Sequence, residues 1–273
     1  MLEQLKYKNH LNEVFEFGKD GIFVNLNDLR DYEWNVQQKG NRISGFDYAI
    51  RKKKLPIVIM CDTEEKGIEA KNRLLEVAEK DVLALQPGQV IIGDYYMKCY
   101  ITKSQKQDYL KTKRYLSVTL TATTDMPYWI KETAFFFNTT SASGDEYLDF
   151  AIDHPYDYAS NTFGTTLVNT GFVDTNFRII IHGACVNPEI HIGDHTYKVN
   201  CEVGAHEYLT IDSSTKKIYL TSNSGDISNK FNDRDRQSYI FQKIPSGSNV
   251  VSWDGTFNFD IILLEERSEP RWT

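Results

Sequence analysis

Two hydrophobic patterns follow one another in the first half of the chain. The short apolar run Leu55–Cys61, preceded by the charged residues Arg51–Lys54, predicts a buried strand. From Thr63 to Lys80 apolar residues recur at helical spacing among Glu, Lys and Arg, which predicts a surface helix of about four to five turns. Asp62, followed three positions later by Glu65, has the spacing of a capping box and predicts the start of this helix. The predicted apolar stripe of the helix contains Ile68, Leu74, Leu75, Val77 and Ala78.

Strand patterns follow the helix. The Pro-Gly pair in Gln86–Gln89 predicts a turn, and strands are predicted at Val90–Ile92, Asp94–Thr102 and Leu110–Thr124. In the last of these, the polar side chains of Tyr115, Ser117, Thr119, Thr121 and Thr123 alternate with Leu116, Val118, Leu120 and Ala122. We therefore expect a long strand with one buried face and one polar face.

Strand patterns also precede the helix. Glu13–Phe17 and Gly21–Leu26 flank a Gly-Lys-Asp-Gly turn and predict a hairpin. Asp31–Ser44 places Tyr32, Trp34 and Val36 at alternate positions, which predicts a third strand with an aromatic face and a turn at Gly40-Asn41. We expect one helix packed against a sheet.

The second half of the chain has strand patterns throughout. Asn138–Asp145 is small and polar, and it is the best linker candidate. Short strands at regular spacing, separated by Gly, Asn, Asp or Pro, predict an antiparallel β-sandwich of roughly eight to ten strands. They are predicted at Phe150–Tyr158, Gly164–Asn169, Asn176–His182, Glu189–Ile192, Tyr197–Val203, Glu207–Asp212, Lys217–Thr221, Tyr239–Ile244, Gly247–Trp253 and Phe257–Leu264.

These patterns predict a mainly β protein of two domains. Residues 1–133 form the first, a β-rich α+β domain with one helix at 63–80. Residues 134–273 form the second, an antiparallel β-sandwich. The length of 273 residues favours two domains over one.

Composition bounds the class of protein. A hydrophobic content of 41% with 13% aromatics predicts a globular chain. No run approaches the roughly 18–20 apolar residues that span a bilayer, so we expect no membrane insertion. Met1–His10 has no apolar core of the signal-peptide type, which favours synthesis and folding in a cytoplasm.

The net charge of −7 is distributed unevenly. Met1–Thr133 carries 21 Lys and Arg against 19 Asp and Glu, whereas Ala134–Thr273 carries 10 against 19. An acidic second half argues against nucleic-acid binding there, because contacts with phosphates need a positive surface. The change in charge also supports a boundary near Thr133.

The cysteines favour no disulfide framework. Cys61, Cys99, Cys185 and Cys201 lie far apart, each in or beside an apolar run, and none forms a Cys-x-x-Cys pair. We expect four buried free thiols.

Two groups of residues were considered as metal ligands, and neither is favoured. Four histidines lie in the second half: His182, His191, His195 and His206. His191 and His195 bracket a Gly-Asp turn and supply at most two ligands, so surface histidines on a hairpin are favoured over a metal site. Asp226, Asp233 and Asp235 lie in an oxygen-rich loop without the spacing of an EF-hand, and a solvated loop is favoured over a calcium site.

No catalytic pattern is present in the sequence. The Gly-x-Ser-x-Gly, P-loop and Gly-x-Gly-x-x-Gly motifs are missing, and the histidines near Cys185 in sequence say nothing about geometry. Arg51–Lys54 could contact phosphate, although a solubilising strand end is favoured. Trp253 and Trp272 could stack on a sugar, although a core position is favoured for Trp253. We therefore predict no catalytic residues, no metal, no cofactor and no enzymatic activity.

Three stretches carry a resemblance to a known family. They are the Arg42–Met60 segment leading into the capped helix, the long Leu110–Tyr128 strand with Met126-Pro-Tyr-Trp129 at its end, and the closing segment Phe257–Trp272. Together with an all-β second domain that follows the long strand, they resemble the distal tail protein (Dit) of long-tailed bacteriophages, the siphoviruses. The resemblance covers essentially the whole chain.

The resemblance implies a structural role in a virion. Distal tail proteins form a hexameric ring through their N-terminal domains, with a galectin-like β-sandwich outside, at the tail tip. The ring joins the tail tube protein to the baseplate hub and to a tail-associated lysin or fibre protein. Its lumen lets the tape measure protein and then DNA pass. A ring needs a repeating heterologous interface, which paired sheet edges could supply.

Two other classes of protein are alternatives to this structural role. A carbohydrate-binding protein that attaches to a host or cell-wall glycan would need exposed aromatics such as Trp272, Tyr239 or Tyr208 in a groove of the sandwich. An enzyme would use the histidines named above.

Met1–Leu29 is the segment that we expect to reach a neighbouring subunit.

Overall fold

The computed structural model describes residues 5–19, 21–107, 112–139 and 166–272. Contacts between Cα atoms divide the chain into two compact units, Met1–Lys131 with Glu266–Thr273, and Glu132–Glu265. The predicted strand Phe150–Tyr158 and most of the predicted linker Asn138–Asp145 lie outside the described residues. Among the described residues, no helix combines the length and the apolar character that a membrane span requires.

The first unit is built from antiparallel strands and one helix. Its elements are β1 (Leu5–Lys8), β2 (Val14–Glu16), β3 (Ile22–Val24), β4 (Asn35–Lys39), β5 (Arg42–Asp47), β6 (Arg51–Met60), α1 (Glu64–Ala84), β7 (Gly88–Ile92), β8 (Tyr95–Gln107), β9 (Tyr115–Thr124) and the start of β10 (Trp129–Phe137). One row of strands runs β2-β1-β7-β8 and the other β3-β6-β9-β8. Strand β8 serves both rows, because its first half pairs with β7 and its second half with β9.

Alternating side chains build the core of this unit. Leu55, Ile57 and Ile59 of β6 are fully buried and face the core, and the residues between them are partly exposed. Strand β9 alternates in the same way, as predicted. The run Leu55–Cys61 is therefore a strand with one covered face. Pro56 and Val58 reach the free face of the sheet, which hydrophobicity alone did not reveal.

Helix α1 differs from its prediction at both ends and in its orientation. Thr63, not Asp62, is the N-cap, and its hydroxyl accepts a hydrogen bond from the Lys66 amide at 3.3 Å. The helix continues to Ala84, four residues beyond the predicted end. Its buried face carries Gly67, Ala70, Val77, Ala78 and Asp81. Ile68 and Leu75, predicted to be buried, are 42% and 54% exposed.

Two predictions before the helix are corrected. The proposed hairpin of Glu13–Phe17 with Gly21–Leu26 is wrong, because β2 pairs with β1 and β3 pairs with β6. The Asp31–Ser44 strand is instead the hairpin β4–β5, which turns at Gly40 with a φ of +62°. The turn itself was predicted at the right place.

The second unit contains most of the remaining strands. After the end of β10 come β11 (Thr166–Asn169), β12 (Asn176–His182), β13 (Cys185–Val186), β14 (Glu189–Ile192), β15 (His195–Lys198), β16 (Glu202–Val203), β17 (Tyr208–Asp212), β18 (Lys217–Thr221), β19 (Ile227–Asn229), β20 (Gly247–Trp253) and β21 (Phe259–Arg267). One sheet has the order β19-β18-β17-β12-β21 and the other β11-β20-β14-β15.

The core of the second unit joins these two sheets. Phe177 and Ile179 of the first sheet share one buried cluster with Leu167, Ile190 and Tyr197 of the second. Two antiparallel sheets on one core make a β-sandwich, so the mainly β fold class with an α+β first part is confirmed. The predicted strand Tyr239–Ile244 is not a strand, because only Ile244 forms an isolated bridge there.

Candidate functional site

The candidate site is a set of surfaces on the first unit. Within the described residues, no group of three or more His, Cys, Asp or Glu side chains could hold a metal ion. Three features of the first unit are exposed in the single chain: a hairpin, a sheet face and a helix face.

The hairpin β4–β5 has an apolar face that the described residues leave partly exposed. Val36 pairs with Phe46 and Gln38 with Ile43, so the apolar members lie on one side of the ribbon. Val36, Ile43 and Phe46 are 49%, 61% and 58% exposed. A two-stranded ribbon is only marginally stable in water by itself. Binding of a partner would bury this exposed apolar side and stabilise the hairpin.

Aromatic contacts fix the base of this hairpin. The Trp34 ring lies 4.3 Å from that of Tyr48 and 6.3 Å from that of Phe46, and Tyr48 lies 5.5 Å from Tyr128. Burial raises the pKa of the Tyr128 hydroxyl well above its ordinary value, as does the nearby charge of Glu266. These ring contacts therefore hold the base of the hairpin in place.

The Arg51–Lys54 run is not a uniformly solvated strand end. Arg51 forms an ion pair with Glu33 at 3.0 Å and donates to Asn35 Oδ1 at 2.9 Å. Lys53 is buried, and its ammonium donates to the backbone carbonyls of Asp28 and Asp31. Burial lowers the pKa of Lys53. The charges of this run partly hold the connection between β3 and β4.

The other two lysines of the run lie on a polar sheet face. Lys52 and Lys54 of β6 pair with Thr123 and Thr121 of β9, and Thr121 pairs in turn with Lys103 of β8. Thr119 and Ser117 continue the row towards Pro56 and Val58. The strand residues on this face of β6, β9 and β8 include no Asp or Glu. This basic and hydroxyl-bearing face occurs in a chain whose net charge is negative.

Helix α1 presents a second apolar stripe to solvent. Ile68, Leu75 and Val82 recur every seven residues and are 42%, 54% and 38% exposed. A shallow surface beside them is lined by Glu65, Glu69, Asn72, Arg73 and Glu76. The stripe is thus an apolar surface with an acidic border.

A buried carboxylate holds the helix against the first strand. Asp81 is fully buried and accepts hydrogen bonds from Tyr7 Oη at 2.5 Å and His10 N at 2.8 Å, and it lies 2.6 Å from His10 Nδ1. Burial and this hydrogen bond raise the pKa of the Tyr7 hydroxyl. A Cβ on Gly88 would lie 2.2 Å from Asp81 Oδ2, so only glycine fits beside the pair. No sequence pattern had marked Asp81.

The segment after β21 is fixed to the first unit. The Arg30 guanidinium lies 3.9 Å from the centre of the Trp272 ring and donates to the Pro270 carbonyl at 2.7 Å. Trp272 is still 75% exposed. By its contacts it belongs to the first unit.

The predicted histidine hairpin exists, but its histidines do not face each other. His191 pairs with Thr196, and His195 pairs with Ile192. His191 lies 3.0 Å from Thr196 Oγ1 and 3.3 Å from Glu189, whereas His195 contacts the Tyr239 carbonyl at 2.9 Å. His182 lies 2.9 Å from Asp260 on the neighbouring strand.

The predicted acidic loop is not a continuous loop, because strand β19 lies within it, and its aspartates have local contacts. Asp226 accepts from Ser224 at 2.6 Å, Asp233 lies 3.6 Å from the Lys230 ammonium, and Asp235 accepts from the Gln237 amide at 3.3 Å. The three carboxylates therefore each have local partners.

The remaining sequence candidates are structural. All four cysteines are free, although only Cys99 and Cys201 are buried. Trp253 packs on the core of the sandwich and donates to the Phe257 carbonyl at 3.0 Å. The exposed Tyr239 hydroxyl accepts from Lys216 at 2.7 Å, with the ammonium also 5.1 Å from its ring centre.

Comparison with known proteins finds similarity only in structure. No protein-family model and no curated protein sequence matches the chain. The crystal structure of the Dit protein (gp 19.1) of phage SPP1, a hub of the adsorption apparatus in phages that infect Gram-positive bacteria, aligns over 97% of this chain and 99% of its own, with a TM-score of 0.58 and 14% identity. The chain has the fold of a distal tail protein.

Two structures of the phage P2 baseplate in its activated conformation support the same fold. The structure with Ca aligns over 99% of this chain and 100% of its own, with a TM-score of 0.64 and 12% identity. The structure with Sr has the same coverage and TM-score at 11% identity. The resemblance to the distal tail fold is therefore confirmed over the whole chain, and at these identities it establishes the fold alone.

Proposed function

We propose that the chain is a structural component of a siphovirus virion, the distal tail protein at the tail tip. Its subunits form a hexameric ring that connects the tail tube to the baseplate and lets the tape measure protein and DNA pass. The observation that carries the proposal is the match of both units together, over at least 97% of the chain, to hub and baseplate proteins. A shared sandwich alone would not carry it, because sandwiches occur in many unrelated proteins.

The surfaces of the first unit support an assembling role. A monomeric protein rarely leaves large contiguous apolar patches exposed. This unit exposes two groups of apolar side chains, on the β4–β5 hairpin and on the outer stripe of α1. We therefore assign ring formation to residues 1–133 together with the returning segment Glu266–Thr273. The β-sandwich within 134–273 is then the outer, galectin-like part.

The proposed partners are other structural proteins of the virion. They are further copies of this chain, the tail tube protein, and a tail-associated lysin or fibre hub protein. Synthesis takes place in the cytoplasm of the bacterial host, and the work is done by surfaces without catalysis.

The polar face of β6, β9 and β8 is the proposed lining of the channel. Lys52, Lys54 and Lys103 give it positive charge, and its threonines offer hydroxyl groups. A passing duplex carries one negative charge per roughly 1.7 Å of its axis. A lining with lysines and without carboxylates would not repel it.

The oligomeric state tests the function. We expect light scattering after size exclusion to give about six subunits, and negative-stain images of that peak to have a central hole. Co-expression with the tail tube protein of the same phage should give a complex that contains both. A chain that is monomeric alone and also beside this tube protein would refute the ring.

A further inference from the structure

The two exposed apolar surfaces of the first unit have similar lengths. The outer stripe of α1 runs from Ile68 to Val82, 14 residues further along the helix, which is about 21 Å at 1.5 Å per residue. Strand β4 has five residues, which is about 17 Å of ribbon. A ribbon of this length can lie along most of the stripe.

The charges at the two surfaces are opposite. Lys39 and Arg42 face each other across the turn of the hairpin, and both are exposed. Glu65, Glu69 and Glu76 border the stripe on α1 and are exposed as well. None of these five side chains forms an ion pair with another described residue. The basic tip and the acidic border are thus both available to a partner.

The pair of surfaces fits the requirement of a ring. A cyclic assembly of more than two copies is built from heterologous contacts, in which two different patches of one subunit meet their complements on two neighbours. The hairpin and the helix stripe are two different patches on one compact unit.

We propose that the β4–β5 hairpin of one copy docks on the outer face of helix α1 of the next copy. Val36, Ile43 and Phe46 lie against Ile68, Leu75 and Val82. Lys39 and Arg42, together at the tip of the hairpin, lie against Glu65 and Glu69 at one end of the stripe. This proposal rests on the ring proposed above and names the surfaces that close it.

Complementary mixing tests the contact directly. Phe46→Asp damages the hairpin and leaves the helix stripe intact, whereas Leu75→Asp does the reverse. Each variant alone should self-associate at least tenfold more weakly than the wild type. An equimolar mixture should give one-to-one dimers and nothing larger, because each pair retains a single intact contact. Ile227→Asp, at a 70% exposed position of the second unit, is the matched control and should assemble like the wild type.

Charge exchange provides a second readout. Lys39→Glu with Arg42→Glu should weaken assembly about tenfold, and so should Glu65→Lys with Glu69→Lys. The chain that carries all four changes should recover most of the lost assembly. Circular dichroism and thermal melting of each variant separate loss of assembly from loss of folding.

The outcomes separate the contact from the ring. If the wild type forms rings and the Phe46→Asp and Leu75→Asp variants form them equally well, the docking is refuted and the ring stands. If both variants fail to assemble, but neither mixing nor charge exchange rescues them, the pairing of hairpin with helix is refuted. A wild type that is monomeric alone and with the tail tube protein refutes both proposals.

Discussion

At the residue scale, one buried carboxylate stabilises the junction between helix α1 and strand β1. Asp81 is fully buried and has three polar contacts, to Tyr7 and to two atoms of His10. A buried charge is tolerated only when such partners surround it.

Replacing Asp81 with alanine should therefore be costly. Asp81→Ala leaves the Tyr7 hydroxyl and the His10 amide without their acceptor, and we expect the free energy of unfolding to fall by about 3 kcal/mol. Urea denaturation followed by fluorescence measures the change. Glu79→Ala, an exposed position on the same helix, should change stability by less than about 0.5 kcal/mol. Equal effects of the two substitutions would contradict the role given to Asp81.

A second residue-scale prediction concerns alkaline pH. Burial raises the pKa of the Cys99 thiol from 9.0 to about 12. Between these values the unfolded chain loses the proton and the folded chain keeps it, so stability falls by about 1.4 kcal/mol per pH unit from this group. Unfolding free energies of Cys99→Val, measured from pH 8 to 11, should fall less steeply than those of the wild type by this amount. Parallel curves would show that the thiol does not contribute.

At the element scale, the helix start provides a direct contrast. Thr63 accepts the hydrogen bond that caps α1, whereas Asp62 lies one residue before it. Thr63→Ala should cost about 1 kcal/mol, as the loss of a helix cap usually does. Asp62→Ala should cost much less. Thermal unfolding of both variants measures the difference, and a larger loss for Asp62→Ala would restore the capping box predicted from the sequence.

The same helix illustrates what hydrophobic periodicity could and could not predict. Its existence followed from the spacing of Leu74, Val77 and Ala78. Ile68 and Leu75 also lie at helical spacing, and the pattern merged them with the first set, because a sequence does not reveal which stripe its own sheet will cover. The helix stripe proposed for assembly is therefore the place where hydrophobic periodicity predicted burial and the structure has exposed side chains.

Strand pairing was similarly beyond the local pattern. Strands β12, β14, β18 and β20 were predicted with the bounds that the structure has, because alternation and turn residues are local signals. The predicted pairing of β2 with β3 was wrong. The tight turn at Gly18 favours a hairpin, whereas β2 pairs with β1 and β3 pairs with β6. Asp81 carried no local signal at all, as its partners lie more than 70 positions away.

At the scale of the whole molecule, the chain leaves the first unit after Lys131 and returns to it after Glu265. The returning segment contacts Arg30 through Pro270 and Trp272. A hydrogen bond and an aromatic–cation contact are each worth roughly 1 kcal/mol.

Removing the returning segment should therefore loosen the first unit selectively. In a chain that ends at Arg267, we expect faster hydrogen exchange in the peptides around Arg30, with exchange in strand β12 of the second unit unchanged. Mass spectrometry of peptic fragments measures both in one experiment. Exchange that rises equally in β12, or that does not change at Arg30, would contradict this assignment.

The division of the first unit between two stretches of chain also sets the order in which the protein is finished. A ribosome makes all of the second unit before it makes the segment that completes the first. A subunit whose synthesis stops early can therefore have a finished sandwich while its ring-forming part still lacks the contacts at Arg30. Translation through the returning segment is therefore needed before a subunit has a complete first unit, and we expect shorter chains to be disfavoured in the proposed ring.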